Sequence, residues 1–408
     1  MLLAFRRGQF ATGHKSVASK PKIEPARNWP RFEQDEIGAV VRVLESGRVN
    51  YWTGNECREF EQEFADYHGV KHGIALANGT LALELALRVL GIGGGDEVIV
   101  TPRSFFASAS CIALAGATPV FADVDHDSQN ITPQTIRDVV TEKTKAIIAV
   151  HLAGWPCDMP EIMSLANDLG LYVIEDCAQA HGAEIGGQRV GSFGHVSAFS
   201  FCQDKIMTTA GEGGMLLTND RELWSEAWSF KDHGKSWDKI YAKDHPAGFR
   251  WLHDSFGTNW RMTEIQGAIG RLQLRKLDSW IDLRTRNANH LTNELDGTPG
   301  LRVPRPGQGI RHANYKFYAF IEPDALREDW NRDRILGRFA TAGIPALSGS
   351  CPEIYREAAF AGTAQSRLPV ARQLGEQSMM LPIDPTIDSG QLDHFVGVIR
   401  SALEAATH

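Results

Sequence analysis

No apolar stretch in this sequence approaches the roughly 18 residues that a membrane-crossing helix needs, so no membrane span is expected. Met1-Leu-Leu-Ala-Phe-Arg-Arg7 holds too short an apolar run for a secretory signal. The six cysteines (Cys57, Cys111, Cys157, Cys177, Cys202 and Cys351) form no Cys-x-x-Cys pair, and no histidine cluster has metal-ligand spacing. Neither a disulfide framework nor a metal site is read from them. Positive charge is not in excess: 42 Lys and Arg face 50 Asp and Glu, for a formal net charge of -8. With no helix-turn-helix, zinc finger or basic arm, nucleic acid is not an expected partner. Repeats at solenoid periods and low-complexity tracts are also missing. These absences point to a cytoplasmic globular protein with reduced thiols.

The chain of 408 residues, 43% hydrophobic and 23% charged, is long enough for one large and one smaller domain. Residues 1–25 are basic and irregular and read as an N-terminal arm able to pack on a partner subunit. Asp35 to Glu45 has apolar residues at helical spacing and ends at Ser46-Gly47, a C-terminal cap. Strand-like runs follow at 73–77, 97–100, 119–122, 146–150, 171–174, 196–201 and 214–217, with helical patterns mostly between them. That alternation predicts an α/β fold, a large domain at 26–270 with a mostly parallel seven-stranded sheet between helices. Residues 271–408, with the strand-like Tyr315 to Ile321 and an amphipathic helix near Gln391 to Ala405, read as a smaller α+β C-terminal domain.

In such sheets ligands collect at the carboxyl ends of the strands, so the chemistry belongs to the segments leaving them. Lys205 lies in Ser200-Phe-Cys-Gln-Asp-Lys205, which runs into the glycine-rich Ala210-Gly-Glu-Gly-Gly214. A lysine there can hold an aldehyde cofactor as a Schiff base, Ser200 can donate to a phosphate, and the glycines let backbone approach a ligand. The ligand this suggests is pyridoxal 5′-phosphate, although a lone Ser-x4-Lys pair is also what a solvated surface lysine produces. Other strand ends supply matching parts. Asn78-Gly79-Thr80 opens a helical run, a place for a phosphate at a helix N-terminus, or else Thr80 is simply the cap. Asp176 could keep a pyridine nitrogen protonated or could cap a helix. Gln179 and His181 follow it closely. Phe106 could stack on the ring or belong to the core. Gly91 to Gly95 lacks the third glycine of a dinucleotide fingerprint and reads as a turn, and the lone His151 and His195 read as structural.

In order along the chain, Phe60 to Ala65, Asn78 to Leu83, Gly95 to Ile99, Thr118 to Asp125, His151 to Gly154, Glu175-Asp176, the Lys205 segment and Gly257 to Gln266 resemble the DegT/StrS-type sugar aminotransferases, which are fold-type I PLP enzymes. The resemblance implies a homodimer with active sites shared between subunits. It further implies transfer of an amino group from an amino acid, L-glutamate, to a keto sugar, nucleotide-linked, by a ping-pong mechanism through pyridoxamine 5′-phosphate. Within that resemblance Lys205 is the Schiff-base lysine and Asp176 the pyridinium partner. Gly79, Thr80, Ser200 and the other subunit's copy of Asn259 match the phosphate site, Phe106 the ring-stacking aromatic and Gln179 the residue on the ring face. Relatives with histidine in place of the lysine are dehydratases; a PLP-dependent sugar dehydratase and a non-catalytic PLP-binding regulator are the alternative readings. Thr53-Gly-Asn55 and Ser348 to Tyr355 depart from the family pattern. Arg311 to Lys316 and Tyr51-Trp52 offer stacking and phosphate-binding groups for a sugar pocket, or are surface and core residues.

Overall fold

The structure is a computed structural model that describes residues 29–245, 247–362 and 366–408; the arm read at 1–25 lies outside the described residues. Seven runs form the central sheet: β1 (His72–Leu76), β2 (Glu97–Val100), β3 (Thr118–Phe121), β4 (Thr144–Val150), β5 (Tyr172–Asp176), β6 (Val196–Ser200) and β7 (Gly214–Thr218). Their order is β1-β7-β6-β5-β4-β2-β3. From β6 to β3 every pairing is parallel, whereas β7 runs antiparallel to both neighbours. The seven strands are the seven sequence runs, with ends moved by one or two residues. They were legible because helices cover both faces, so β-branched and other apolar residues run on without alternation.

Helix boundaries follow local chemistry. The first helix, Gln34–Ser46, stops at Gly47, whose φ of 66° only glycine takes without strain. The helix Gly79–Val89 is capped by Asn78, whose Oδ1 accepts the Leu81 N–H, so the cap is two positions earlier than a cap reading of Thr80 would have it. The 32-residue helix Glu264–Leu295 has Thr263 and Gln266 as a capping box and runs unbroken across residue 270. Its first half packs Leu274, Leu277 and Ile281 into the main core, and its end sends Leu291 and Leu295 into a second core.

That second core surrounds a three-stranded antiparallel sheet of Leu301–Arg302, Phe317–Ile321 and Ser378–Leu381, closed by the helices Arg332–Thr341 and Ser389–Ala406. It is the smaller α+β unit. A short sheet joins the two: Ile310–Arg311 pairs with Glu184–Ile185, a segment just beyond β5. The unassigned segment 348–355 also reaches back, with Cys351 bridging Ser104 and the Ile354 N–H donating to the Pro102 carbonyl.

Candidate active site

β1, β2, β5 and β6 all release their chains at one edge of the sheet. Close backbone approach is built in there by glycine. Gly214 sits opposite both Leu76 and Ser200, and a Cβ on it would lie 2.2 Å from the Asn78 carbonyl oxygen. A Cβ on Gly79 would lie 2.6 Å from that of Ser200. Only glycine at both positions lets the N-terminus of the Gly79–Val89 helix rest against the end of β6. Asn78 caps the Leu81 N–H, and the Gly79 and Thr80 N–H groups and the Thr80 hydroxyl have no protein partner among the described residues. Unpaired first-turn donors beside the Ser200 hydroxyl make a seat for a phosphate-sized anion.

Asp176 ends β5 and is 5% exposed. Its Oδ2 accepts from Ser108 Oγ at 2.8 Å and its Oδ1 from the Ala178 N–H at 3.1 Å. Ser104 Oγ lies 3.0 Å from Ser108 Oγ, extending a buried hydroxyl chain from the acid. Burial pushes the Asp176 carboxyl up, against the opposing pull of Ser108, Ala178 and the Lys205 charge. A buried acid with only two donors has lone pairs left for a cationic N–H.

Lys205 is half-buried in a tightly pinned loop. Its N–H donates to the Cys202 carbonyl, its carbonyl accepts from Trp29 Nε1 at 2.9 Å, and the loop closes through Gln203 N–H to Gly211 O. Its Nζ stands 5.2 Å from the Tyr315 ring centre. The Tyr315 hydroxyl donates to Asp204 Oδ2 at 2.5 Å, and its N–H donates to the Ala153 carbonyl. Burial alone would raise the Asp204 carboxyl, but the Lys205 charge and the Tyr315 hydroxyl outweigh it and hold it low. The Ala153 N–H in turn donates to Gln179 Oε1 at 2.8 Å, so Gln179, Ala153, Tyr315 and Asp204 form one linked wall. Phe106, half-buried at the start of the helix Ala107–Leu114, contacts the Phe360 ring at 5.5 Å. Asn259 is exposed in a loop held by backbone pairing to Asp232, and the residues after it, Trp260 and Arg261, pair with Ala77 and Leu76 at the end of β1.

Several sequence candidates fall outside the site. Tyr51 is 1% exposed, hydrogen-bonded to Glu61 and Trp228, and Trp52 Nε1 donates to Asp232, so this pair is core structure. His181, by contrast, lies beside the site: it is buried against Phe199 and Phe201, and burial and the Lys205 charge pull its imidazole down against the opposing pull of the Ser200 backbone. His151, Glu175 and Cys177 come within metal-ligand distance of one another. The carboxylate, however, already accepts from His151 Nε2 and from the Gly191, Phe193 and Gly194 N–H groups, and His151 Nδ1 accepts from the Cys157 N–H. These donors fill the ligand positions a cation would need. Ser108 and Asp204 escaped the sequence reading: their partners are 68 and 111 residues away, and no local spacing announces them.

A mostly parallel seven-stranded sheet of this order, gathering an acid, a lysine and a helix N-terminus at one edge, defines a fold-type I PLP-dependent enzyme. Residues 30–400 match the DegT/DnrJ/EryC1/StrS aminotransferase family. The chain belongs to that family and is an aminotransferase with pyridoxal 5′-phosphate as its cofactor. It is similar to the X-ray structure of an aminotransferase from Psychrobacter cryohalolentis, with 52% identity, a TM-score of 0.91 and coverage of 92% of this chain and 98% of that one. It is also 37% identical to the UDP-N-acetyl-3-dehydro-α-D-glucosamine 3-aminotransferase of Acidithiobacillus ferrooxidans, across 94% of this chain and 98% of the relative. The dTDP-3-amino-3,4,6-trideoxy-α-D-glucose transaminase of Streptomyces venezuelae is 34% identical, across 94% and 96%.

Proposed function

We propose that this protein transfers an amino group from an amino acid, L-glutamate, to carbon 3 of a nucleotide-linked keto sugar. Carbon 3 and the nucleotide are the features shared by the names of the two sugar aminotransferases reported above. The observation that carries the reading is the convergence of Asp176 and Lys205, two strand ends apart in sequence, beside the glycine-made contact of Gly79 with Ser200. In this reading Gly79, Thr80 and Ser200 hold the phosphate, and Asn259 is offered to the site of a second copy in a cytoplasmic homodimer. Phe106 covers one ring face and Gln179, fixed by the Ala153 N–H, the other. Residues 26–270 and 271–408 are the large and small domains, with the boundary inside the long helix.

When bound, the cofactor supplies a conjugated electron sink for the negative charge that develops at the donor carbon. The protein does the rest. Asp176, held by Ser108 and Ala178, receives a cationic N–H and keeps it protonated. Lys205 Nζ would hold the cofactor and, as a neutral amine, would carry the proton removed from the donor Cα, with the reverse transfer serving the keto acceptor. Tyr315 and Asp204 hold the lysine's surroundings in place.

A half-reaction tests this directly: L-glutamate added to the holoenzyme should convert the visible absorbance of the lysine-bound cofactor to that of pyridoxamine 5′-phosphate. Lys205→Ala should abolish that conversion, and persistence of the lysine-bound spectrum in Lys205→Ala after dialysis would remove the assignment. Mixed Lys205→Ala and Asn259→Ala chains should regain part of the activity if sites are shared, and no recovery would count against Asn259 serving a second subunit. A product that retains the transferred nitrogen separates the aminotransferase from a dehydratase.

A further inference from the structure

A cavity of about 480 Å³ opens between the main core and the smaller unit, lined among others by Trp155, Arg305, Arg311, His312, Lys316 and Tyr318. Its size is that of a small-molecule site. It backs onto the wall described above, because Ala153 and Asn314 line it too. Most of its charges are spent. Arg305 pairs with Asp296, Arg311 with Glu184, Asp278 and Asp282, and the lining acid Asp127 with Arg302.

Lys316 differs. Its Nζ makes no hydrogen bond or ion pair among the described residues and stands 4.7 Å from the Tyr315 ring centre. Lys205 Nζ stands 5.2 Å from the same ring. The two amines are therefore separated by no more than the sum of those distances, one at the reacting end and the other in the cavity. Arg284 is a third cation, bonded only to backbone carbonyls, while the carboxylates Asp204, engaged by Tyr315, and Asp384 act on Lys316 from a distance without forming an ion pair with it.

We propose that Lys316 is the anion contact of this cavity, taking a carboxylate or phosphate oxygen of a substrate whose reacting end lies at Lys205. This rests on the aminotransferase reading and names the charged group that the site selects. Burial, with Arg284 adding to it, pulls the Lys316 ammonium down to about 8 against the opposing pull of Asp204 and Asp384. Carboxylate and phosphate share the chemistry of a charge-assisted N–H to oxygen bond and differ in source, amino donor or nucleotide.

The experiment uses the holoenzyme and its Lys316→Gln and Lys316→Arg variants. One arm follows the glutamate half-reaction by cofactor absorbance and extracts the apparent Kd of L-glutamate. The other measures uridine diphosphate binding by calorimetry. We expect Lys316→Gln to weaken one ligand by roughly tenfold or more, Lys316→Arg to stay within about threefold, and both to keep wild-type cofactor affinity and Tm. Weakening confined to glutamate identifies the donor carboxylate, and weakening confined to uridine diphosphate identifies the phosphate. Changes under about twofold in both arms overturn the proposal, as does an equal loss in cofactor affinity, which would make Lys316 a support for Lys205. A wild-type protein without any cofactor absorbance would instead overturn the underlying reading.

Discussion

Glu175 and Asp176 are neighbours on β5, both buried, and the structure treats them in opposite ways. Glu175 points to one face of the sheet, where three backbone N–H groups and His151 saturate it. Burial would raise its carboxyl, but the His151 bond and charge and the backbone donors win, and it is held low. Asp176 has two donors and stays raised. One carboxylate is complete within its own chain and fastens the 191–194 turn. Its neighbour is left short of a positive partner. The difference separates a carboxylate used for folding from one kept for a ligand: the folded chain meets every demand of the first and defers one demand of the second.

The comparison can be broken by exchanging the charges. Asp176→Asn should lower turnover by about 100-fold or more while cofactor is still retained, since its acceptor strength is needed only when charge develops. A rate within threefold of wild type would erase the contrast. Glu175→Gln should do the reverse, losing about 3 kcal/mol of stability because an amide cannot serve four donors, with the glutamate half-reaction preserved in the folded fraction. Thermal unfolding set beside stopped-flow absorbance separates the two.

A finer test uses pH in the cofactor-free protein. Glu175, whose folded carboxyl is lowered, contributes stability that is present above its unfolded pKa and lost as pH falls through the folded value. Asp176, whose folded carboxyl is raised, works in the opposite sense: its ionisation opposes folding above the folded pKa, and acid relieves that. Asp176→Asn should therefore raise the Tm of the cofactor-free protein at neutral pH and leave it unchanged in mild acid. A lowered Tm at neutral pH would show that Asp176 is not short of a partner. The smallest effect belongs to Ser108→Ala, which removes one of the two donors. It should raise the pH at which the bound cofactor's spectrum titrates and lower turnover less than tenfold, and Ser108→Thr should restore both.

How much of this was readable beforehand depended on whether a signal was local. Seven doubly covered strands appear as apolar runs, and Lys205, Asp176 and Gly79 stand at their ends, so the frame of the site was legible. Glu175 and Asp176, by contrast, cannot be told apart in sequence, because what distinguishes them is the turn at 191–194 and the helix carrying Ser108. Tyr51 and Trp52 looked like entrance aromatics, since an aromatic before a Thr-Gly turn carries no sign of the buried Glu61 and Asp232 that claim it. Tyr315 and Lys316 stood out only as a polar lead into a strand. Their place beside Lys205 comes from the backbone pairing of 313–315 to 153–154.

The helix Glu264–Leu295 spans roughly 48 Å at 1.5 Å per residue and is rooted in both cores. It behaves as a spar, not a hinge. The smaller unit cannot swivel freely over the cavity, since its motion must flex a continuous column of hydrogen bonds or slide the Leu291 and Leu295 end within its socket. Stiffening that column would change how quickly product leaves and how wide a ligand is admitted, without touching a single residue that meets the substrate.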